Sequence, residues 1–201
     1  MTIQDIEQQL LDASVQGDLN TISTIILSLN ESQAAQINPL VYDKVLGQLS
    51  LPYIGADPAD TIRIVMEFAS PYISSFTLGG VLANLAWNDN LGGLDAVIDN
   101  LTEVHLLPYP YGGLDDFTVS NVLDALVSNV QWHMNMGDDI TAHNTAIRDF
   151  MEILGGHVTA SAVGEALANL AWYDDLEGLD AIIDNLTAEH LLPEYQGGLS
   201  G

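Results

Sequence analysis

The stretch VLANLAWNDNLGGLDAVIDNLTEVHLLP, residues 81–108, returns as ALANLAWYDDLEGLDAIIDNLTAEHLLP, residues 166–193. Aligned without a gap, the two copies are 85 residues apart and identical at 21 of 28 positions. Within the first copy, Leu82, Leu85 and Ala86 follow i, i+3, i+4 spacing. After the polar break Asn88-Asp89-Asn90, the residues Leu91, Leu94, Val97, Ile98 and Leu101 continue at the same helical spacing. That periodicity predicts two short amphipathic helices joined by a tight turn. The Leu-Leu-Pro at 106–108 and the glycines of YPYGGL end the second helix, because proline cannot continue a helix and glycine releases the backbone.

The same template extends outward. Leu19, Ile22, Ile25, Ile26 and Leu29 take the places of Leu176, Leu179, Ile182, Ile183 and Leu186 at a constant offset of 157. TIRIVMEFA (61–69) aligns with AIRDFMEIL (146–154), and Val45-Leu46 matches Val122-Leu123 at an offset of 77, which implies about eight extra residues within 129–144. The chain therefore reads as all-α, a single repeat domain of five helical hairpins over roughly 3–30, 38–70, 76–104, 117–155 and 159–188, with an 85-residue internal duplication. A lone hairpin leaves one apolar side uncovered, so neighbours are expected to stack as a short α-solenoid.

Composition narrows what such a stack can bind. With 28 Asp plus Glu against Lys44, Arg63 and Arg148, the formal net charge is −25. That field repels phosphate backbones and anionic lipids, which argues against nucleic acid, and no apolar run is long enough to be inserted into a membrane. The chain has no cysteine, which removes disulfides and thiolate chemistry. The stretch MTIQDIEQQLLDASVQGDLN has no basic n-region and no uninterrupted apolar run, so no cleavable secretory signal is expected. The cytoplasm is the default compartment. Secretion or surface display by a route independent of a signal peptide also fits the low Lys and Arg content.

The turn from Ala13 to Ile26, A-S-V-Q-G-D-L-x-x-I-x-x-I-I, resembles the helix-turn-helix heart of an ankyrin repeat, and equally a generic helical-hairpin repeat. The ankyrin Thr-Pro-Leu-His opening is missing, and Leu-Leu-Pro stands where the β-turn finger would be. The resemblance implies protein–protein interaction and no catalysis.

Several residues are candidates for specific work. Asp95 and Asp99, with counterparts Asp180 and Asp184, stand four apart and are expected to form an acidic ridge, either a solvated face or a landing strip for a basic partner. Trp87 and Trp172 occupy one repeat position, as aromatic anchors for a partner or as packing beneath the next hairpin. Asn88–Gly93 briefly resembles a calcium loop but lacks the closing bidentate Glu. In the insertion, His133, Met134 and Met136, with His143 nearby, bring imidazole and thioether together, a set suited to copper(I). His105 and His190, each before Leu-Leu-Pro, are expected to cap helix carbonyls. No nucleophile motif and no phosphate loop occurs, and no cofactor is called for.

The function expected from these residues is a non-enzymatic protein-binding or assembly module. The alternatives are an acidic inhibitor or immunity-type protein with a basic partner, and a copper carrier using 132–136. The last helix, 179–186, keeps the internal apolar pattern nearly unchanged, so the terminal hairpin is expected to want a neighbour, either a second copy of the chain or further repeats.

Overall fold

A computed structural model describes residues 2–52 and 57–191. Beyond Leu191, the second Leu-Leu-Pro connection lies outside the described residues. The described residues hold eleven α-helices and no strand, an all-α fold. They divide into two compact units, residues 1–105 and 106–201.

In the first unit, α1 (Ile3–Gln16) pairs with α2 (Leu19–Ser28), α4 (Pro39–Leu49) with α5 (Ala59–Ala69), and α6 (Ser75–Trp87) with α7 (Leu91–Ile98); a single turn, α3 (Glu31–Ala34), lies between the first two pairs. The leading helices α1, α4 and α6 contact one another in succession, and so do the trailing helices α2, α5 and α7. The result is two layers of helices closed on a core that includes Ile22, Tyr42, Leu46, Ile62, Met66 and Leu82, all fully buried. In the second unit, α8 (Asp116–Met136) pairs with α9 (Thr141–Leu154), and α10 (Ala160–Trp172) with α11 (Leu176–Ile183). There α8 packs on α10 and α9 on α11, around Leu123, Leu126, Ile147 and Phe150.

One turn geometry makes three of the hairpins. A residue in the left-handed region, Gly17 (φ 67°), Asp89 (φ 56°) or Asp174 (φ 56°), ends the first helix. The next residue, Asp18, Asn90 or Asp175, sends its backbone N–H back to the carbonyl five residues earlier, at 2.9, 2.9 and 3.1 Å. Its side-chain oxygen accepts the N–H of Thr21, Gly93 or Gly178 at 3.1, 2.8 and 3.1 Å. That bond satisfies one of the amides that a helix start leaves without a partner. Gly178 is required by the approach itself, since a Cβ there would meet the Asp175 carboxylate at 2.5 Å.

Stacking is fastened at the start of each following hairpin. The Asn38 N–H donates to Glu7 of α1 at 2.7 Å, and the Ser74 N–H donates to Asp43 of α4 at 3.0 Å. In the second unit the Thr159 N–H donates to the Ser120 hydroxyl of α8 at 3.0 Å. The first two clasps span 31 residues and the third spans 39, so the difference equals the insertion. The inserted residues lengthen α8. Position 126 corresponds to Leu49, the last residue of α4, yet α8 runs on to Met136.

His105 and His190 close the third and fifth hairpins in a way the sequence reading only half anticipates. Each Nδ1 accepts the N–H of the Thr three residues earlier, Thr102 at 3.0 Å and Thr187 at 3.1 Å. That leaves Nε2–H to donate to a carbonyl, Ile73 at 3.2 Å or Val158 at 2.8 Å. The carbonyls belong to the connection before the hairpin and not to the helix just ended, so the ring works as a neutral latch in place of a charged cap. Both rings are 3% exposed.

Burial holds the His105 pKa below its ordinary 6.5, against a smaller opposing effect of the bond to Ile73. Because the folded value is the lower one, the unfolded chain takes up the proton first. The contribution of His105 is whole above pH 6.5 and is lost as pH falls from there through the folded value. Melting of the protein and of His105→Gln across pH 8 to 5 should show the gap between them narrowing as pH falls; a constant gap would contradict the neutral latch.

Candidate functional site

Three groups of residues stand out once the helices are placed. The first is acidic. Asp95 and Asp99 in one unit, and Asp180 and Asp184 in the other, are all exposed. Asp99 and Asp184 are the C-cap residues of α7 and α11, where a negative charge meets the negative end of the helix dipole. Asp99 has compensation, since its Oδ2 lies 3.4 Å from Nη1 of Arg63, a pair that is well exposed on both sides. An exposed pair of that kind contributes about 0–1 kcal/mol.

The second group is apolar. Trp87 and Trp172 are 55% and 84% exposed, so neither is a core residue. The last hairpin differs from its earlier copy in a systematic way. Leu82, Ala86, Leu94 and Ile98 are at most 3% exposed. Their counterparts Leu167 and Leu179 are half-buried, Ala171 is exposed and Ile183 is 51% exposed. On α11, Gly178, Ala181 and Ile182 face the core, while Leu176, Leu179 and Ile183 share the opposite side at i, i+3, i+7 spacing. Both sides of α7 are buried, whereas only one side of α11 is.

The third group sits where α8 meets α9. Gly137, in the left-handed region at φ 79°, ends α8, and the Asp138 N–H donates to the His133 carbonyl at 3.0 Å. The same turn brings Asp138 Oδ2 to 3.0 Å from His133 Nδ1. Asp139 takes the N–H and the hydroxyl of Thr141, which hold its carboxyl below the usual range. His143, in the first turn of α9 and 6% exposed, places its ring centroid 4.4 Å from that of His133 at a tilt of 39°. The Trp132 ring meets His133 edge-on at 4.7 Å. Met134 is half-buried, and Met136 is 65% exposed.

The next residue along, Asn144, donates through Nδ2 to the buried Asp175 at 3.0 Å. Asp175 is thus held by α9 as well as capping α11. In the earlier copy the corresponding positions carry Ala59 and Asn90, so the two members of this contact change together.

The sequence names His133 and His143, and the structure brings them together. It does not name Asp138, whose signal is the Gly137-Asp138 pair following a helix, the same turn chemistry as Gly17-Asp18. No family model, curated protein or solved structure matches the chain.

The acidic caps give a differential expectation. Asp184→Asn should stabilise by about 0.3–1 kcal/mol by removing an unfavourable charge from a helix C-terminus. Asp99→Asn should be close to neutral, because the lost Arg63 pair offsets the same gain. Urea midpoints of the two variants check this, and equal stabilisation would show that the Arg63 pair contributes nothing.

Proposed function

We propose that this chain is a non-enzymatic protein-interaction or assembly module whose unit is a helical hairpin with an ankyrin-like turn. The observation that carries the reading is the contrast between α7 and α11: nearly the same apolar residues are buried in one and uncovered in the other. Exposed Trp172, Leu176 and Ile183 on neighbouring stretches of one hairpin are an apolar surface of the kind that marks interaction sites. Hairpins in each unit bury themselves on hairpins of the same build, so the partner that fits best is a second copy of this chain.

A second reading rests on the charge. A net −25 with exposed Asp95, Asp99, Asp180 and Asp184 suits an acidic inhibitor or immunity-type protein that meets a basic partner. No described helix is long and apolar enough to cross a membrane. We place either activity in the cytoplasm by default, with signal-independent export as the alternative.

Sedimentation velocity over a wide concentration range separates the two readings. Self-association through the α11 face should persist in high salt and be lost in Leu176→Glu/Ile183→Glu, since central apolar contacts cost about 2 kcal/mol or more when removed. Association with a basic protein should instead weaken with salt and ignore that double variant. A strict monomer at every concentration would overturn the self-association reading.

A further inference from the structure

The second copy of the duplication differs from the first at one buried contact that the hairpin itself does not require. Ala59 and Asn90 of the first copy stand where Asn144 and Asp175 stand in the second. Asn90 caps α7 with an uncharged oxygen, 2.8 Å from the Gly93 N–H, so the cap needs no carboxylate. Asp175 caps α11 at 3.1 Å from the Gly178 N–H and brings a charge to a position only 5% exposed. Asn144, 1% exposed, adds an amide where the first copy has a methyl group.

The hydrogen bonds leave two oxygens over. Asp175 Oδ1 accepts both the Asn144 Nδ2–H and the Gly178 N–H. Asp175 Oδ2 and Asn144 Oδ1 are buried without a partner among the described residues, and no Lys or Arg of those residues pairs with the carboxylate. The bond from Nδ2 fixes which way the Asn144 amide is turned, so the atom left over is its oxygen. A Cβ on Gly178 would lie 2.5 Å from Asp175 Oδ2 and 3.1 Å from Asn144 Oδ1, so both oxygens converge beside a residue that has no side chain. An amide oxygen and an ionised carboxylate can only accept, and a buried charge is ordinarily paired or bound to a metal. Water would satisfy the lone pairs and leave the charge; a cation answers both.

The turn around these oxygens has diverged in the same direction. Where the first copy reads Asp89-Asn90-Leu91-Gly92, the second reads Asp174-Asp175-Leu176-Glu177, three carboxylates in place of one. Asp174 and Glu177 are exposed, and Arg148 is the one Lys or Arg between 106 and 201, so the local potential favours positive ions.

We propose that Asn144 Oδ1 and Asp175 Oδ2 are ligands of a calcium ion held between α9 and α11, with water filling the rest of its shell. An all-oxygen donor set selects a hard cation over copper or zinc. Magnesium gives up its water reluctantly and demands near-ideal octahedral geometry, whereas calcium takes carboxylate and amide oxygens in flexible shells. The ion fastens α11 to α9 in addition to the Asn144–Asp175 bond. The site is independent of the partner that the α11 face meets. It also differs from a calcium loop, because its two ligands come from separate hairpins and no single run of sequence displays them.

The test uses the full chain, freed of metal with chelator and then dialysed against calcium chloride in excess magnesium chloride, which occupies surface carboxylates. One calcium per chain should bind, and the melting temperature should rise with calcium concentration, as it does for an ion that binds only the folded state. Asn144→Ala/Asp175→Asn restores the pair used by the first copy, so the hairpin keeps its cap. In that variant calcium binding should weaken at least about tenfold and the rise in melting temperature should vanish. Asp124→Asn, at an exposed carboxylate of α8, should change neither.

Circular dichroism establishes that each variant is folded. Should the double variant unfold, Asp175→Asn alone, which keeps a capping oxygen, decides. Unchanged calcium affinity in the folded variant would overturn the site, as would an equal loss in Asp124→Asn. No calcium bound in the presence of magnesium, or a parent melting temperature that ignores calcium, would assign the two oxygens to buried water and overturn the proposal.

Discussion

The bond from a capping side chain to the third amide of the helix that follows is what the architecture depends on. In a hairpin whose second helix is eight or ten residues long, helix propensity alone cannot hold that helix, and an uncapped start leaves four amides without partners. Asp18, Asn90 and Asp175 each supply one acceptor, and the left-handed residue before them turns the chain so that the acceptor arrives in place. Asp at the left-handed position, in two of three copies, is among the few residues besides glycine that tolerate it. Once the turn is set, the apolar sides of both helices face the same way. Burying that common side on the next hairpin is then the source of stability.

The hairpins were legible because their code is local. Helical spacing of Leu and Ile, the Gly-Asp, Asp-Asn or Asp-Asp turns, and the Leu-Leu-Pro that follows the duplicated hairpin lie within about 30 residues of one another, and the duplication shows the pattern twice. The clasps between hairpins were not legible. Glu7, Asp43 and Ser120 are different residue types, and each acts on a backbone amide, which leaves no side-chain signature at the receiving end. The histidines were misread for a related reason. A histidine after a helix suggests a cap for that helix, and only the fold reveals that the acceptor is Ile73 or Val158, 32 residues upstream.

Of the candidate site, His133 and His143 were visible as residue types, but their approach depends on how the insertion is spent. Eight residues placed in the loop would have separated them. Placed in α8, they bring its last turn, Gly137 and Asp138 level with the first turn of α9. The exposure of Trp87 and Trp172 escaped the sequence because an apolar residue beside a turn looks the same whether it is covered or not.

The His105 and His190 latches each close a segment of 32 residues, and the clasps close 31 or 39. Each of these polar ties is therefore short in sequence. The entropy lost in closing a loop grows slowly with length, and chains whose contacts are local fold quickly. The residues that form each latch are therefore all present once those 32 residues are free of the ribosome, while the common apolar side still waits for a neighbouring hairpin to be buried. Assembly during synthesis can thus proceed one hairpin at a time, each completed unit offering the next a surface on which to condense.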